Sequence, residues 1–271
     1  MELVDTHCHI QSIGSSIGER HTRELWAKNN ELTRKSVVTN AQTAGVSRLI
    51  VVGCDLDDSK LACDFVENEN NTWASIGIHP HEAKIFANDK EKKQQFAELI
   101  KRDKVIAIGE CGLDYYYNHS DKEDQLEMLR YQIELATLNK LPIVFHVRDA
   151  FTDFWPMFNT FSGVRGVLHS FTDSIENLNI AVSKNLMIGV NGIATFAKQA
   201  EQISMYKTIP LENLVLETDA PYLTPIPHRG SINEPKYIKD IAVFMAKLKE
   251  TTIEEVAKHT TRNAMKLFGM N

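Results

Sequence analysis

Six residues in this chain are of the types that ligate divalent metals: His7, His9, Glu110, His146, His169 and Asp219. His7 and His9 are two apart, so in an extended strand both imidazoles leave the same face and can meet one cation. The other four each close a mostly apolar run. KVIAIGE ends on Glu110, PIVFH on His146, RGVLH on His169 and NLVLETD on Asp219. A lone HxH is often a pair of surface or core histidines, and a lone buried carboxylate is often a satisfied core group. The repetition of ligand types at strand ends favours a metal centre instead. A catalytic zinc usually takes three protein ligands and a water. Six ligands suit two ions ~3.5–4 Å apart that share a carboxylate. Glu110 is assigned to that bridge. Asp219 is assigned to ligation and to accepting a proton from water that the metal has acidified. Such a centre hydrolyses esters, amides or phosphoesters.

The elements that must position these residues can be marked as eight apolar, β-branched runs. They are Glu2–His9, Arg48–Cys54, Trp73–His79 and Lys104–Glu110, then Pro142–Val147, Arg165–Phe171, Leu186–Asn191 and Asn213–Asp219. Several lack alternation, as LIVV at 49–52 does, which is expected of strands buried on both faces. Helical patterns lie between them. The clearest is Asp121–Lys140, with Leu126, Leu129, Ile133 and Ala136 on one face, ended by Leu141-Pro142. Another helix ends near Gly45. The last starts at a doubled capping pattern, Thr251-Thr252 to Glu254-Glu255, and runs to Gly269. Strands alternating with helices imply a parallel α/β sheet. Eight strands in a chain of 271 residues predict one TIM (β/α)8 barrel over residues 1–271, its active site at the C-terminal ends of the strands. An open doubly wound sheet is the alternative. No GxGxxG follows the first strand and no GxxxxGK[ST] loop exists, which disfavours a nucleotide fold. Three connections are long. Cys111–Ser120 and Ala220–Glu234 follow strands and are placed over the site. Ile10–Glu31 reads equally as a lid or a flexible insert.

Composition narrows the rest. Hydrophobic residues make up 43% of the chain, enough for a large core. No run of ~18 apolar residues suggests a membrane span. The start, MELVDTHCHI, resembles no leader, and a cytoplasmic location is expected. The cysteines, Cys8, Cys54, Cys63 and Cys111, form no CxxC pair and are expected to be reduced. Cys8 should point away from its flanking histidines and pack; Cys111 reads likewise beside Glu110. A net charge of −6 suits no protein that coats duplex nucleic acid. It permits an enzyme that holds a few phosphates through metals and one or two arginines.

Around the six stand lesser candidates. Glu217 shares the face of Asp219 and either orients a ligand or is a structural carboxylate. Arg148, two after His146, either grips a phosphate or pairs with Asp149 or a loop. His79 and His81 close the third run as HPH and are assigned to substrate. Pro80 breaks the alternation, which keeps both out of the expected metal shell. His228 and Arg229 are candidate phosphate contacts. Tyr115–Tyr117 either stack on bases or seat the loop. No obligate protein partner is evident.

The chain closely resembles the TatD family of metal-dependent deoxyribonucleases, within the amidohydrolase superfamily. The motifs are DTHCHI at 5–10, GIHPHE at 77–82, IGECGLDYYY at 108–117, FHVRDA at 145–150, GVLHSF at 166–171, NGIATF at 191–196 and LETDAPYLTPIPHRG at 216–230. The resemblance implies a TIM barrel, one or two ions of magnesium, manganese or zinc, and hydrolysis of DNA phosphodiesters from the 3′ end, on some members' single-stranded substrates. It implies the same six ligands and Asp219 as general base. Gln11 stands where many members carry Asp, Asn191 where Ser is common, and the segment after the first strand is longer. None of these touches the ligand set. The competing expectations are a carboxyl-ester or amide hydrolase, such as one removing D-amino acids from tRNA, and a barrel kept as a scaffold. The scaffold reading expects lost ligands, and all six are present.

Overall fold

The computed structural model describes residues 1–270. Eight parallel strands pair in chain order: β1 (Leu3–Cys8), β2 (Val46–Val52), β3 (Thr72–Ile76), β4 (Val105–Asp114), β5 (Ile143–Arg148), β6 (Gly166–Leu168), β7 (Met187–Val190) and β8 (Leu214–Leu216). The sheet closes on itself. Cys8 bridges Ala220 in parallel, and Thr6 Oγ1 donates to Leu216 O at 3.0 Å. The fold is therefore a TIM barrel, and the open sheet is excluded. Every expected strand is present, its ends displaced by no more than four residues. β4 runs four residues past Glu110 to Asp114, so the first part of the expected Cys111–Ser120 loop is strand. β8 stops at Leu216, and Glu217–Asp219 lie beyond the ladder.

Two apolar layers hold the barrel. One lies between sheet and helices and includes Cys8, Cys63 and Cys111, so all three pack as small hydrophobes. The other gathers Val4, Ile50, Val52, Ala107, Val144, Val167 and Val215 from six strands, closed by Ala264, Leu267, Phe268 and Met270. These small branched residues fill the barrel interior. The Ile253–Phe268 helix plugs its lower end, tied there by Thr261 Oγ1 to Glu2 O at 3.0 Å. The Lys122–Asn139 helix buries Leu129, Ile133 and Ala136 as its period requires, and ends on Lys140 in the left-handed region (φ 58°) before Leu141-Pro142. Ile10–Glu31 has its own structure, a 3-10 turn at Ile10–Ser12 and a helix at Arg20–Trp26. Trp26 is buried there and donates Nε1 to His9 O at 3.1 Å. Among the described residues no helix is long and apolar enough to cross a membrane.

Candidate metal centre

The backbone at the β1–β8 seam interleaves the ligand-bearing residues. Asp219 N donates to His7 O and His9 N to Ala220 O, both at 2.8 Å. Asp219 thus lies between the two histidines of HxH. Its φ of 59° is left-handed, a conformation aspartate tolerates better than most residues. Asp5, fully buried beneath, fixes the seam: its carboxylate accepts from Thr218 N (2.9 Å), Thr218 Oγ1 (2.5 Å) and His7 N (3.2 Å). On β4 the register slips. Ile108 pairs with Ile143 but Cys111 with Phe145, three residues against two. Such a bulge re-aims a side chain, and here it turns Glu110 into the barrel mouth. Gly77 allows it: a Cβ there would lie 2.4 Å from Glu110 N.

The six residues converge. His7 Nε2 lies 3.2 Å from His9 Nε2, 3.3 Å from Glu110 Oε2 and 3.6 Å from Asp219 Oδ1. Asp219 Oδ1 is also 3.3 Å from His9 Nε2 and 3.9 Å from His169 Nε2. The other Glu110 oxygen, Oε1, faces a second group: His146 Nδ1 at 2.6 Å, His79 Nε2 at 3.6 Å and His169 Nε2 at 3.8 Å. The opposite nitrogens of His9 and His146 have hydrogen-bond partners: His9 Nδ1 is 2.8 Å from Val52 O and His146 Nε2 3.0 Å from Asp114 Oδ2. His169 Nδ1 lies 2.9 Å from Glu217 Oε1 as an ion-pair contact without hydrogen-bond geometry. Each of these rings turns its other nitrogen toward the centre. Imidazole nitrogens and carboxylate oxygens crowded within 4 Å form a pocket that a cation could occupy once the rings give up a proton. The donor set fits one or two divalent ions, and all its atoms are nitrogen or oxygen.

Charge tells the same story. Burial works against charge on His169, yet Glu217, Glu110 and Asp219 lift its pKa to about 10. His9 and His146 are likewise raised, against burial, to about 9 by Asp219 and by Asp114 with Glu110 respectively. Burial would raise Glu110 and Asp219, but the surrounding histidines hold Glu110 well below and Asp219 below the usual range. His7 and His79 are lowered, chiefly by burial, His79 to about 4. The two carboxylates thus draw positive charge into a site with little water.

The centre opens into a cavity of about 840 Å³ lined by His9, His79, His81, Glu110, His146, Arg148, His169 and Asp219, among others. A second cavity of about 680 Å³, at the other end of the barrel beside Met1, Met265 and Met270, holds none of the six. Arg148 lines the first cavity without a carboxylate partner among the described residues; its guanidinium carbon lies 4.0 Å from the Tyr116 ring centre and 4.8 Å from that of Tyr117. Tyr115 seats the loop, its hydroxyl donating to Asp153 at 2.9 Å, whereas Tyr116 and Tyr117 are exposed. Glu217 is fully buried against His169, in space that only a glycine at 189 leaves open: a Cβ there would meet it at 2.4 Å.

Two expectations are corrected. His228 and Arg229 do not line the cavity. The His228 ring stacks on Tyr237 at 4.2 Å, and the Arg229 guanidinium sits 4.0 Å over Phe196, so both hold the loop together. His79, kept off the expected metal shell because of Pro80, sits beside Glu110 and His146 within ligating reach. The proline opens a 3-10 turn after the strand and leaves His79 on the inward side.

Three buried groups escaped the sequence reading. Asp114, four beyond Glu110, bonds both His146 and His81 through Oδ2 at 3.0 Å. Gln132 clasps the Ile78 peptide, Oε1 accepting at 2.8 Å and Nε2 donating at 3.0 Å. Gln125, seven residues earlier on the same helix face, clasps Asp114 in the same way (2.8 and 3.1 Å). Both glutamines stand in an otherwise apolar stripe, the one signal the sequence carried.

Comparison with known proteins agrees with this geometry. The chain is 36% identical over 271 residues to an uncharacterized metal-dependent hydrolase, YabD, of Bacillus subtilis, covering 99% of this chain and all of the relative. It is 32% identical to the 3′-5′ ssDNA/RNA exonuclease TatD of Erwinia amylovora, over 94% of this chain and 99% of that one. The crystal structure of a TatD family hydrolase from Entamoeba histolytica superposes with a TM-score of 0.82 at 26% identity, covering 99% of this chain and 98% of the other. The TatD homologue YJJV of Escherichia coli superposes at 0.83 and 24% identity, over 99% and 98%. The family model for TatD related DNase matches residues 4–269, so the chain belongs to that family and is a metal-dependent hydrolase of its type.

Proposed function

We propose that this protein is a nuclease that shortens single-stranded DNA from its 3′ end. The observation that carries the reading is the shared cavity: the six ligand-type residues at its floor, and unpaired Arg148 on its wall. In this reading His7, His9, His169 and Asp219 would hold one ion, and His146, with His79, would hold a second, with Glu110 within reach of both groups. Magnesium, manganese and zinc are the candidate ions. A divalent ion supplies Lewis acidity toward a phosphoryl oxygen and acidifies water. The chain supplies the rest. Asp219, exposed to the cavity, takes the proton from the attacking water. Glu110 keeps its charge because four histidines surround it. Arg148 offers a planar fork to a phosphate. Relatives described as exonucleases on single-stranded DNA and RNA support the substrate class.

The test is a 5′-labelled single-stranded oligonucleotide and chelator-stripped protein, with each ion restored singly. One ion should restore stepwise shortening from the 3′ end. Asp219→Asn should reduce it roughly 10³-fold, the several kcal/mol expected of metal and base chemistry. No cleavage with any ion, with uptake shown by elemental analysis, would move the reading to carbonyl esters such as acylated tRNA.

A further inference from the structure

Asp114 has no exposed surface, yet its carboxylate faces two parts of the site. Oδ2 accepts from Nε2 of His146 and from Nε2 of His81, both at 3.0 Å. Oδ1 accepts from the backbone N–H of Tyr116 and of Tyr117, both at 3.0 Å. No lysine or arginine pairs with it among the described residues. An ionised carboxylate is an acceptor only. Both imidazoles must therefore carry a proton on Nε2, so Nδ1 is the His146 nitrogen turned toward Glu110, 2.6 Å away, and the one a cation would take in place of its proton. The turn pinned by Oδ1 carries the two tyrosine rings on which Arg148 rests. His81, about a quarter exposed (26% of its side chain), lines the same wall of the cavity as Arg148.

We propose that Asp114 is a positioning residue with a double task. It holds His146 in the orientation that offers Nδ1 to a divalent cation, and it builds the His81–Arg148 wall against which the anionic substrate lies. The first task needs only the metal site. The second rests on the phosphodiester reading above. Carboxylates behind metal-ligating histidines commonly change metal affinity 10–100-fold when replaced. Here the same group also shapes a substrate wall, so metal binding and substrate binding should both respond to it, through different neighbours.

Asp114→Asn separates the two. The amide keeps an oxygen for the tyrosine turn but places an N–H donor against two Nε2–H groups. Calorimetric titration of chelator-stripped protein with Mn²⁺ should show affinity about 10–100-fold weaker than in the parent. His81→Ala should bind Mn²⁺ like the parent, while its KM for the oligonucleotide rises about tenfold and kcat stays within about threefold, the pattern of lost substrate binding. Nitrogen-15 spectra of the folded, stripped parent give a readout that no misfolded variant can obscure: Nε2 of His146 should carry a proton. Parent-like Mn²⁺ affinity in Asp114→Asn, or a His146 Nε2 that carries no proton, overturns the first task. An unchanged KM in His81→Ala overturns the second. A parent that binds Mn²⁺ but cleaves no oligonucleotide removes the wall together with the nuclease reading, and calorimetry still decides the first task.

Discussion

The two sides of the metal centre are built differently. Around Asp219 the histidines are sealed: side-chain exposure is 0% for His7 and 5% for His9 at β1, and 4% for His169 just past β6. On the β3–β5 side it rises to 12% for His79, 19% for His146 and 26% for His81. The cause is local. β8 has only three laddered residues, so the chain beyond it must be held by side chains. Asp5 and Asn233 do this: Asn233 Nδ2 donates to Thr218 O at 2.8 Å and Tyr222 O at 2.5 Å. The loop folded over that seam excludes water. β5 instead continues past His146 to Arg148 and carries the wall into solvent. The lesson is a division of labour: one side fixes charge where the dielectric is low, and the other, in the function proposed above, is where substrate enters.

That division has a direct test, with the largest effect expected of any single change. His169→Ala should leave Glu217 buried without its histidine and remove a ligand-type nitrogen near both carboxylates. Hydrolysis should fall on the order of 10³-fold, and the fold should weaken by about 3–5 kcal/mol because a buried charge loses its partner. His79→Ala, on the open side, should cost about 10–100-fold in hydrolysis with little change in melting temperature, since water can enter where the ring stood. Equal effects of the two on stability would show that the sides are not distinct.

Removing the metal should give the next largest effect. Without a cation the centre must keep two carboxylates and four histidines close together, largely away from water, and burial of such charge is costly. Binding at 100 times the dissociation constant stabilises by about 2.7 kcal/mol. For a chain of this size that corresponds to about 5–10 °C in Tm. Chelator-stripped protein should melt lower by that amount, and the shift should reverse on adding back the competent ion. A melting curve indifferent to the ion would mean that the cluster is neutralised by protons alone.

Much of this molecule could be read from its residues, and the exceptions share a cause. The barrel was legible because each strand is an apolar run of the right length. The cluster of six was legible because a histidine or carboxylate that ends such a run is conspicuous. His79 was misjudged on Pro80, because alternation describes a strand and this residue belongs to the turn after it. Asp114 was hidden because β4 extends through a bulge that sequence periodicity does not report. Gln125 and Gln132 were hidden in a different way. A glutamine on an apolar helix face looks like a small fault in the pattern, and only the fold shows the peptide each one clasps. His228 and Arg229 were misplaced because residue type suggested phosphate, whereas an irregular loop gives no rule for direction.

The long loop after β8 therefore offers the smallest and sharpest prediction. His228 is stacked on Tyr237 with its Nε2 3.5 Å from Asp240, and Arg229 rests on Phe196 while donating to Thr224 O at 3.0 Å. These contacts tie the loop to the helix beginning at Ile238 and to the short helix Ile193–Phe196. They stabilise the roof and leave the cavity to Arg148 and His81. The double change His228→Ala and Arg229→Ala should thus cost about 1–2 kcal/mol of stability, the worth of one aromatic stack and one cation–π contact. KM for a single-stranded oligonucleotide should stay within about twofold, because an interaction absent from the substrate complex cannot change substrate binding. Arg148→Ala under the same conditions should raise it several-fold. A tenfold rise in KM from the loop pair would mean that the loop swings over the cavity when substrate is bound, which would make the open side of the centre a property of the empty enzyme alone.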